Sequence, residues 1–101
     1  MNEILRNTKI LEKVVNSVCA YYGIAASRIF SRDRHKIVSD ARNIIIYILH
    51  KDFKLSISFL SHEFSRSERW VVQLCAVKKQ HIFLYKDCSD EYENLLKIIK
   101  D

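Results

Sequence analysis

The chain contains no proline and a single glycine, Gly23, among its 101 residues. Proline and glycine are the residues that most often interrupt regular structure, so their scarcity leaves long stretches of sequence uninterrupted. Apolar residues recur at helical spacing along most of the chain. We therefore predict an all-α fold, a six-helix bundle that forms a single domain over residues 1–101.

Three helices are predicted in the first half of the chain. The first starts near Asn2 and ends at Gly23, which suits a left-handed C-cap. A short second helix covers residues 24–31, and a third covers residues 35–51. The run from Ile44 to Leu49 is apolar on all sides, which is typical of a helix at the centre of a bundle. A strand is the alternative for so isoleucine-rich a run, but its length and flanking residues favour a helix. The second helix is expected to turn three side chains inward: Ile24, Ile29 and Phe30.

Two further helices are predicted on either side of the sequence "SRS", residues 65–67. Ser56 is a suitable N-cap for a short fourth helix that runs to about Phe64. Ser67 can cap a longer fifth helix, with Glu68 in the first turn where the helix dipole favours an acid. The expected inner stripe of this fifth helix is Val72, Cys75, Lys79 and Ile82, with only the stem of Lys79 covered.

Several classes of function are excluded by what the sequence lacks. A phosphate-binding loop needs several glycines, so no nucleotide-hydrolysing motif can be formed. The three cysteines and four histidines have no ligand spacing, so we expect no metal, no cofactor and no catalytic site. The longest apolar run has six residues, against about 20 for a membrane span. We expect a non-enzymatic, cytoplasmic protein without a small-molecule substrate.

The net charge of +5 is unevenly distributed along the chain. Residues 1–86 carry fifteen Lys and Arg against seven Asp and Glu, whereas residues 87–101 carry two against five. The acids come early and the lysines late in this tail, as suits a last helix that starts at Asp87 or Ser89. The basic body indicates a polyanionic partner; a solvated charged surface is the alternative reading, and charge alone does not separate the two.

A short helix, a tight turn and a longer helix together form a helix-turn-helix. The wider sequence around it, from about residue 11 to residue 72, resembles the C-terminal DNA-binding domain of the bacterial replication initiator DnaA. The segments that carry the resemblance are "YYGI", "RIFS", "DARNIIIYIL" and "LSISFLSHEF". The resemblance implies a helix-turn-helix of the Trp repressor-like type that binds double-stranded DNA.

The sequence departs from that family at the turn and in the recognition helix. The family signature reads Gly-Gly-Arg-Asp-His-Ser/Thr-Thr-Val, and residues 65–72 retain only the final valine. Asp40 stands where the family has an arginine that reaches the minor groove. Ser65 replaces a glycine, which costs about 1 kcal/mol if its φ is positive. We therefore expect the fold to be kept and the DNA sequence preference to change.

The candidate contacts follow from base chemistry in the major groove. Arg69 suits guanine, Gln73 suits adenine, and Glu68 can accept from cytosine. Arg66 is expected to meet a phosphate, and Trp70 either touches DNA or packs against Phe64. The other expected DNA-binding residues are Ser67, Lys54, Arg34, Lys36 and Lys78.

The sequence thus predicts an accessory replication or transcription regulator that binds double-stranded DNA and lacks ATPase activity. The alternative is a protein-interaction module that keeps the fold but has lost DNA binding, with a replication or transcription protein as its partner. The oligomeric state is open. Affinity for duplex DNA that falls steeply with salt would distinguish a DNA binder from such a module.

Overall fold

The computed structural model describes residues 2–100, and within that range it contains six α-helices and no strand. The helices are α1 (Asn2–Tyr22), α2 (Ala26–Ile29), α3 (Lys36–Lys51), α4 (Ile57–Glu63), α5 (Glu68–Leu84) and α6 (Lys86–Lys100). The predicted all-α, six-helix architecture is confirmed. The two end residues of the predicted domain, Met1 and Asp101, lie outside the described residues.

Helix α3 is the centre of the bundle. Its residues from Ile44 to Leu49 are all buried, none more than 3% exposed. The helix contacts α1, α2, α4 and α5, and α6 lies against α1 and α5. A helix that is apolar on every side is stable only where neighbours cover it all round, so this arrangement accounts for the isoleucine run that could also have been a strand.

The ends of the helices follow local sequence chemistry. Gly23 adopts a φ of 70° after α1, and the amide of Ile24 donates to the carbonyl of Cys19 at 3.0 Å. These are the features of a left-handed C-cap. At the start of α4, the Ser56 hydroxyl accepts from the amide of Phe59 at 3.0 Å. Both caps were predicted, and both are confirmed.

Two expectations about buried faces are wrong. Phe30 is 44% exposed, because α2 ends at Ile29 and the Phe30 ring stacks on Phe64 at the surface, with 5.2 Å between centroids. In α5 the buried valine is Val71, whereas Val72 is 52% exposed. Neighbouring helical residues differ by about 100° around the axis, so two adjacent valines fit either rotation of the helix. The inner face of α5 is Val71, Leu74, Cys75, Lys78 and Ile82, each buried or half-buried, and Lys79 is exposed.

Two tyrosines attach α6 to the rest of the bundle. The Tyr22 hydroxyl of α1 donates to Glu91, and the Tyr92 hydroxyl donates to Asp52 at 2.7 Å. Burial first, and then these carboxylate acceptors, raise the pKa of both phenols above the ordinary value. Because α6 also packs on α5, these bonds help to hold α5 in place.

The C-terminal end of α5 and the residue after it are little covered by the bundle. Phe83 is 86% exposed, and Leu84 and Tyr85 are each 57% exposed.

Of the helices described between residues 2 and 100, none has the length and apolar character needed to span a membrane.

Candidate nucleic-acid interface

The corner between α4 and α5 is a compact turn over residues 64–67. The amide of Ser65 donates to the carbonyl of His62 at 3.3 Å, and the amide of Arg66 donates to the carbonyl of Ser61 at 3.0 Å. This pair of bonds is a Schellman motif, which normally places glycine at the position that Ser65 occupies. Ser65 has a φ of 52°. The expected positive φ is therefore present, and the hydrogen bonds of the turn hold it.

The fifth helix begins immediately after this turn. The Ser67 hydroxyl accepts from the amide of Trp70 at 3.1 Å, and Glu68 lies in the first turn. The serine satisfies an amide that would otherwise lack a partner, and the glutamate complements the helix dipole. The predicted start of the recognition helix is confirmed.

Arg69 and Gln73 lie on the outer side of α5, away from the buried Val71. They are one helical turn apart and share a face, which we call the outer ridge; Gln80 continues it two turns further on. Both side chains are exposed, and neither makes a hydrogen bond or ion pair with any residue between Glu3 and Lys100. Their donors are therefore available to a ligand.

Arg66 lies at the corner beside the outer ridge. Its guanidinium carbon is 5.2 Å from the centroid of the Trp70 ring, and its Nη1 makes only long contacts of 3.4 and 3.5 Å with the carbonyls of Phe64 and Ser65. No carboxylate among residues 3–100 pairs with it. The aromatic face orients the cation without neutralising it.

A cationic cavity of about 310 Å³ lies on one side of the outer ridge. We call it the arginine cavity; its walls are formed by Arg32, Asp33, Arg34, Ser39, Arg42, Asn43, Arg66 and Trp70. Trp70 therefore lines this cavity together with the α3 residues Ser39, Arg42 and Asn43, in addition to contacting Arg66. The guanidinium groups of Arg32, Arg34 and Arg66 around this one small space suit an anion such as a phosphate.

Arg42 organises the loop that forms one wall of the arginine cavity. It is only 5% exposed, and its guanidinium donates to the carbonyls of Ile29 at 2.7 Å, Ser31 at 3.0 Å and Asp33 at 3.1 Å. Burial, together with the nearby charge of Arg66, lowers the pKa of Arg42. The sequence prediction did not include this role, although the "AR" pair of the central helix marks the residue.

Asp33 is the acid within the same loop. Its carboxylate accepts from the backbone amide and the ring of His35, and from Arg28 at 2.8 Å. These hydrogen bonds hold the pKa of Asp33 well below its usual range. The Asp33 carboxylate is thus held by hydrogen bonds within the loop and by its ion pair with Arg28, and Arg32 and Arg34 are exposed and without an acidic partner in the described range.

A second basic cavity lies on the other side of α5, with a volume of about 470 Å³. We call it the lysine cavity; its walls include Lys51, Lys54 and Lys79, with His50, Ser56 and Cys75. The ammonium of Lys51 lies 5.2 Å from the Tyr92 ring. The imidazole of His50 bonds through Nδ1 to the carbonyl of Leu55 at 2.9 Å, which orders the connection from α3 to α4.

The two remaining basic candidates lie near Asp40. Lys36 donates to Asp40 at 2.9 Å, one helical turn along α3, and this bond raises the pKa of Lys36. Lys78 is half-buried and shares a cavity of about 490 Å³ with Asp40, Trp70 and Gln73. Arg34 and Arg66 thus line one cavity, Gln73 lines the neighbouring one, and Arg69 lies one turn before Gln73 on α5, whereas Lys36 is paired within the chain.

One comparison with known proteins identifies the domain. The bacterial dnaA protein helix-turn-helix family matches residues 11–77, which is more than half of the chain. The match starts within α1 and ends within α5, so it includes the corner together with Arg69 and Gln73. A comparison with curated proteins finds no match. The chain belongs to the bacterial DnaA helix-turn-helix family.

Proposed function

We propose that this chain binds double-stranded DNA with α5 in the major groove, and that it acts as an accessory regulator of replication or transcription without hydrolysing ATP. One observation carries the proposal. The outer ridge, whose donors are unpaired, has an arginine-rich cavity on the Trp70 side of α5 and a lysine-rich cavity on the Ala76 side. A major groove is likewise bordered by two phosphate strands.

Within this arrangement the outer ridge reads bases. Arg69 donates to O6 and N7 of a guanine, and Gln73 pairs with N6 and N7 of an adenine. Glu68, exposed in the first turn, accepts from the N4 amino group of a cytosine. These contacts specify sequence, and the family membership supports placing them on this helix.

The basic cavities position the duplex without reading it. Arg66 and Arg34 contact phosphates on the arginine side, with Trp70 holding the Arg66 guanidinium in place. Lys54 contacts the strand on the lysine side, and the amide end of α5 capped by Ser67 faces a phosphate. Lys36 and Lys78 contribute at the edge of the surface, where Asp40 limits what they add.

The experiment is duplex binding measured as a function of salt. A pool of random-sequence duplexes is first selected for binding, and affinity for an enriched duplex is then followed by fluorescence anisotropy. Because each neutralised phosphate contributes a slope of about 0.9 in log K against log salt, we expect a steep dependence. Replacing both Arg66 and Arg69 by Ala is expected to abolish specific binding.

Two controls make this experiment decisive. Lys9→Ala with Lys13→Ala removes two exposed charges from α1, outside the proposed interface, and is expected to leave affinity nearly unchanged. Urea unfolding of both double variants checks that neither loses stability. Absence of duplex binding at low salt by the folded wild-type chain would overturn the proposal and favour a protein-interaction module.

A further inference from the structure

The exposed side chain of Val72 has no role in the fold or in the contacts proposed above. It is 52% exposed on α5, while its neighbour Val71 is fully buried and supplies the core contact at that turn. A half-exposed valine in the second turn of a recognition helix lies where that helix meets base edges. At that position an apolar side chain can contact an apolar group of the ligand.

Val72 is surrounded by the groups that are proposed to read DNA. At about 100° per residue, it lies about 60° around the helix from Arg69 and about 40° from Ala76. Ala76 is exposed as well. Val72 and Ala76 therefore form a small apolar strip along one side of the outer ridge, on the same outward surface as Arg69 and Gln73.

The major-groove edge of DNA offers one apolar group, the C5-methyl of thymine. The flanking arginine and lysine cavities favour a polyanion over an uncharged apolar partner at this surface. We propose that Val72, supported by Ala76, contacts a thymine methyl, so that the chain selects a thymine next to the base read by Arg69. This inference rests on the proposed DNA binding and adds a residue that determines specificity.

The test removes the methyl group alone. Each thymine of a selected duplex is replaced singly by deoxyuridine, which keeps every hydrogen-bonding group and the charge. We expect one such replacement to weaken wild-type binding about fourfold, the factor that corresponds to burying one methyl group. For Val72→Ala, the normal duplex is expected to bind more weakly, and the same deoxyuridine replacement is expected to have little further effect.

Val77→Ala provides the matched control. Val77 is 50% exposed on the same helix, but it lies on the opposite side of the outer ridge from Val72, about 140° away around the helix, in the cavity that Asp40 and Gln73 line. This variant is expected to keep the full sensitivity to deoxyuridine. Since alanine has a higher helix propensity than valine, unfolding in urea is expected to show no loss of stability in either variant.

The outcomes separate this inference from the function on which it rests. Equal sensitivity to deoxyuridine in the wild-type and Val72→Ala proteins, or sensitivity at no position, would overturn the role of Val72 while leaving DNA binding intact. Wild-type protein that binds no duplex at all would overturn both.

Discussion

The guanidinium of Arg66 stacks on the indole ring of Trp70, with 5.2 Å between the Cζ atom and the ring centroid. Arg66 lies in the turn before α5 and Trp70 lies in the first turn of that helix, so the contact connects the two parts of the helix-turn-helix corner. It leaves the charge of Arg66 without an acidic partner among residues 3–100. The ring thus orients the guanidinium together with the two long contacts that its Nη1 makes to the carbonyls of Phe64 and Ser65.

Trp70→Ala is expected to weaken duplex binding about two- to fivefold, because a cation–π contact of this kind contributes about 0.5–1 kcal/mol. The loss should be similar for all duplex sequences, since Arg66 is assigned to a phosphate. Fluorescence anisotropy with the selected duplex and an unrelated one measures it. Trp70→Phe keeps an aromatic face and is expected to retain most of the affinity; a loss as large as that of Trp70→Ala would contradict the stacking role.

Ser65→Gly is expected to stabilise the fold by about 1 kcal/mol, because glycine adopts a left-handed φ without the steric cost that serine carries there. Ser65 has a φ of 52°. The urea midpoint measures the change. Ser58→Gly, at an exposed position in the first turn of α4, is the matched control and is expected to lose up to about 0.5 kcal/mol, the difference in helix propensity between serine and glycine. Destabilisation by both substitutions would contradict the assignment of strain to Ser65.

Arg42→Met is expected to destabilise the fold by about 2–3 kcal/mol, since it leaves buried carbonyls of the loop without a donor. The same loop carries Arg32 and Arg34, so trypsin should cleave there faster in the variant. Arg28→Met is the control from the same region: Arg28 pairs with Asp33 at 2.7 Å near the surface, and its loss is expected to cost at most about 1 kcal/mol. Equal losses would contradict the organising role of Arg42.

Asp40→Asn is expected to strengthen duplex binding several-fold. In the wild-type chain the Lys36 ammonium lies 2.9 Å from the Asp40 carboxylate. The substitution weakens this pairing, so that Lys36 can contact a DNA phosphate, and it removes a negative charge at the edge of the proposed interface. The slope of log K against log salt should steepen by about 0.9 for one added phosphate contact. Glu12→Gln, which neutralises an exposed acid on α1, should leave the slope unchanged; an equal effect there would indicate a general charge effect.

Stability is expected to fall at alkaline pH. Tyr22 and Tyr92 have pKa values raised above the ordinary value of about 10, through burial and hydrogen bonds to Glu91 and Asp52. The native state holds these protons more tightly than the unfolded state, so their contribution is present below pH of about 10 and lost as the pH rises above it. The raised pKa of Lys36 acts in the same window with the same sign.

Urea unfolding from about pH 8 to about pH 11 measures this loss, and the tyrosines are identified by substitution. Tyr22→Phe and Tyr92→Phe each remove one titrating phenol, so each variant should show a shallower decline than the wild type. An unchanged decline in the double variant would assign the effect to other groups.

Most of the fold could be predicted from local sequence chemistry. Serine side chains at Ser56 and Ser67 start helices through bonds to amides three residues away, and Gly23 ends one by its own conformational freedom. Such features depend on a few consecutive residues and are visible in the sequence. The central position of α3 likewise follows from its unbroken apolar run.

The details of the site depended on contacts between distant parts of the chain. The rotation of α5 is set by packing, and the adjacent Val71 and Val72 gave no local preference between two choices. The partners of Arg42 lie 9 to 14 residues before it, beyond any helical repeat. The ion pair of Lys36 and Asp40 could have been predicted from the sequence, because four-residue spacing on a helix brings such side chains together.

The left-handed backbone conformation of Ser65, just after α4, also bears on how relatives of this domain can be found. Two backbone hydrogen bonds close the corner there, and neither depends on which side chain residue 65 carries. Chains that have exchanged the paired glycines for other small or polar residues can therefore keep the same angle between the two helices. Searches that score the spacing of buried positions and capping serines will recover divergent members that a fixed glycine signature passes over.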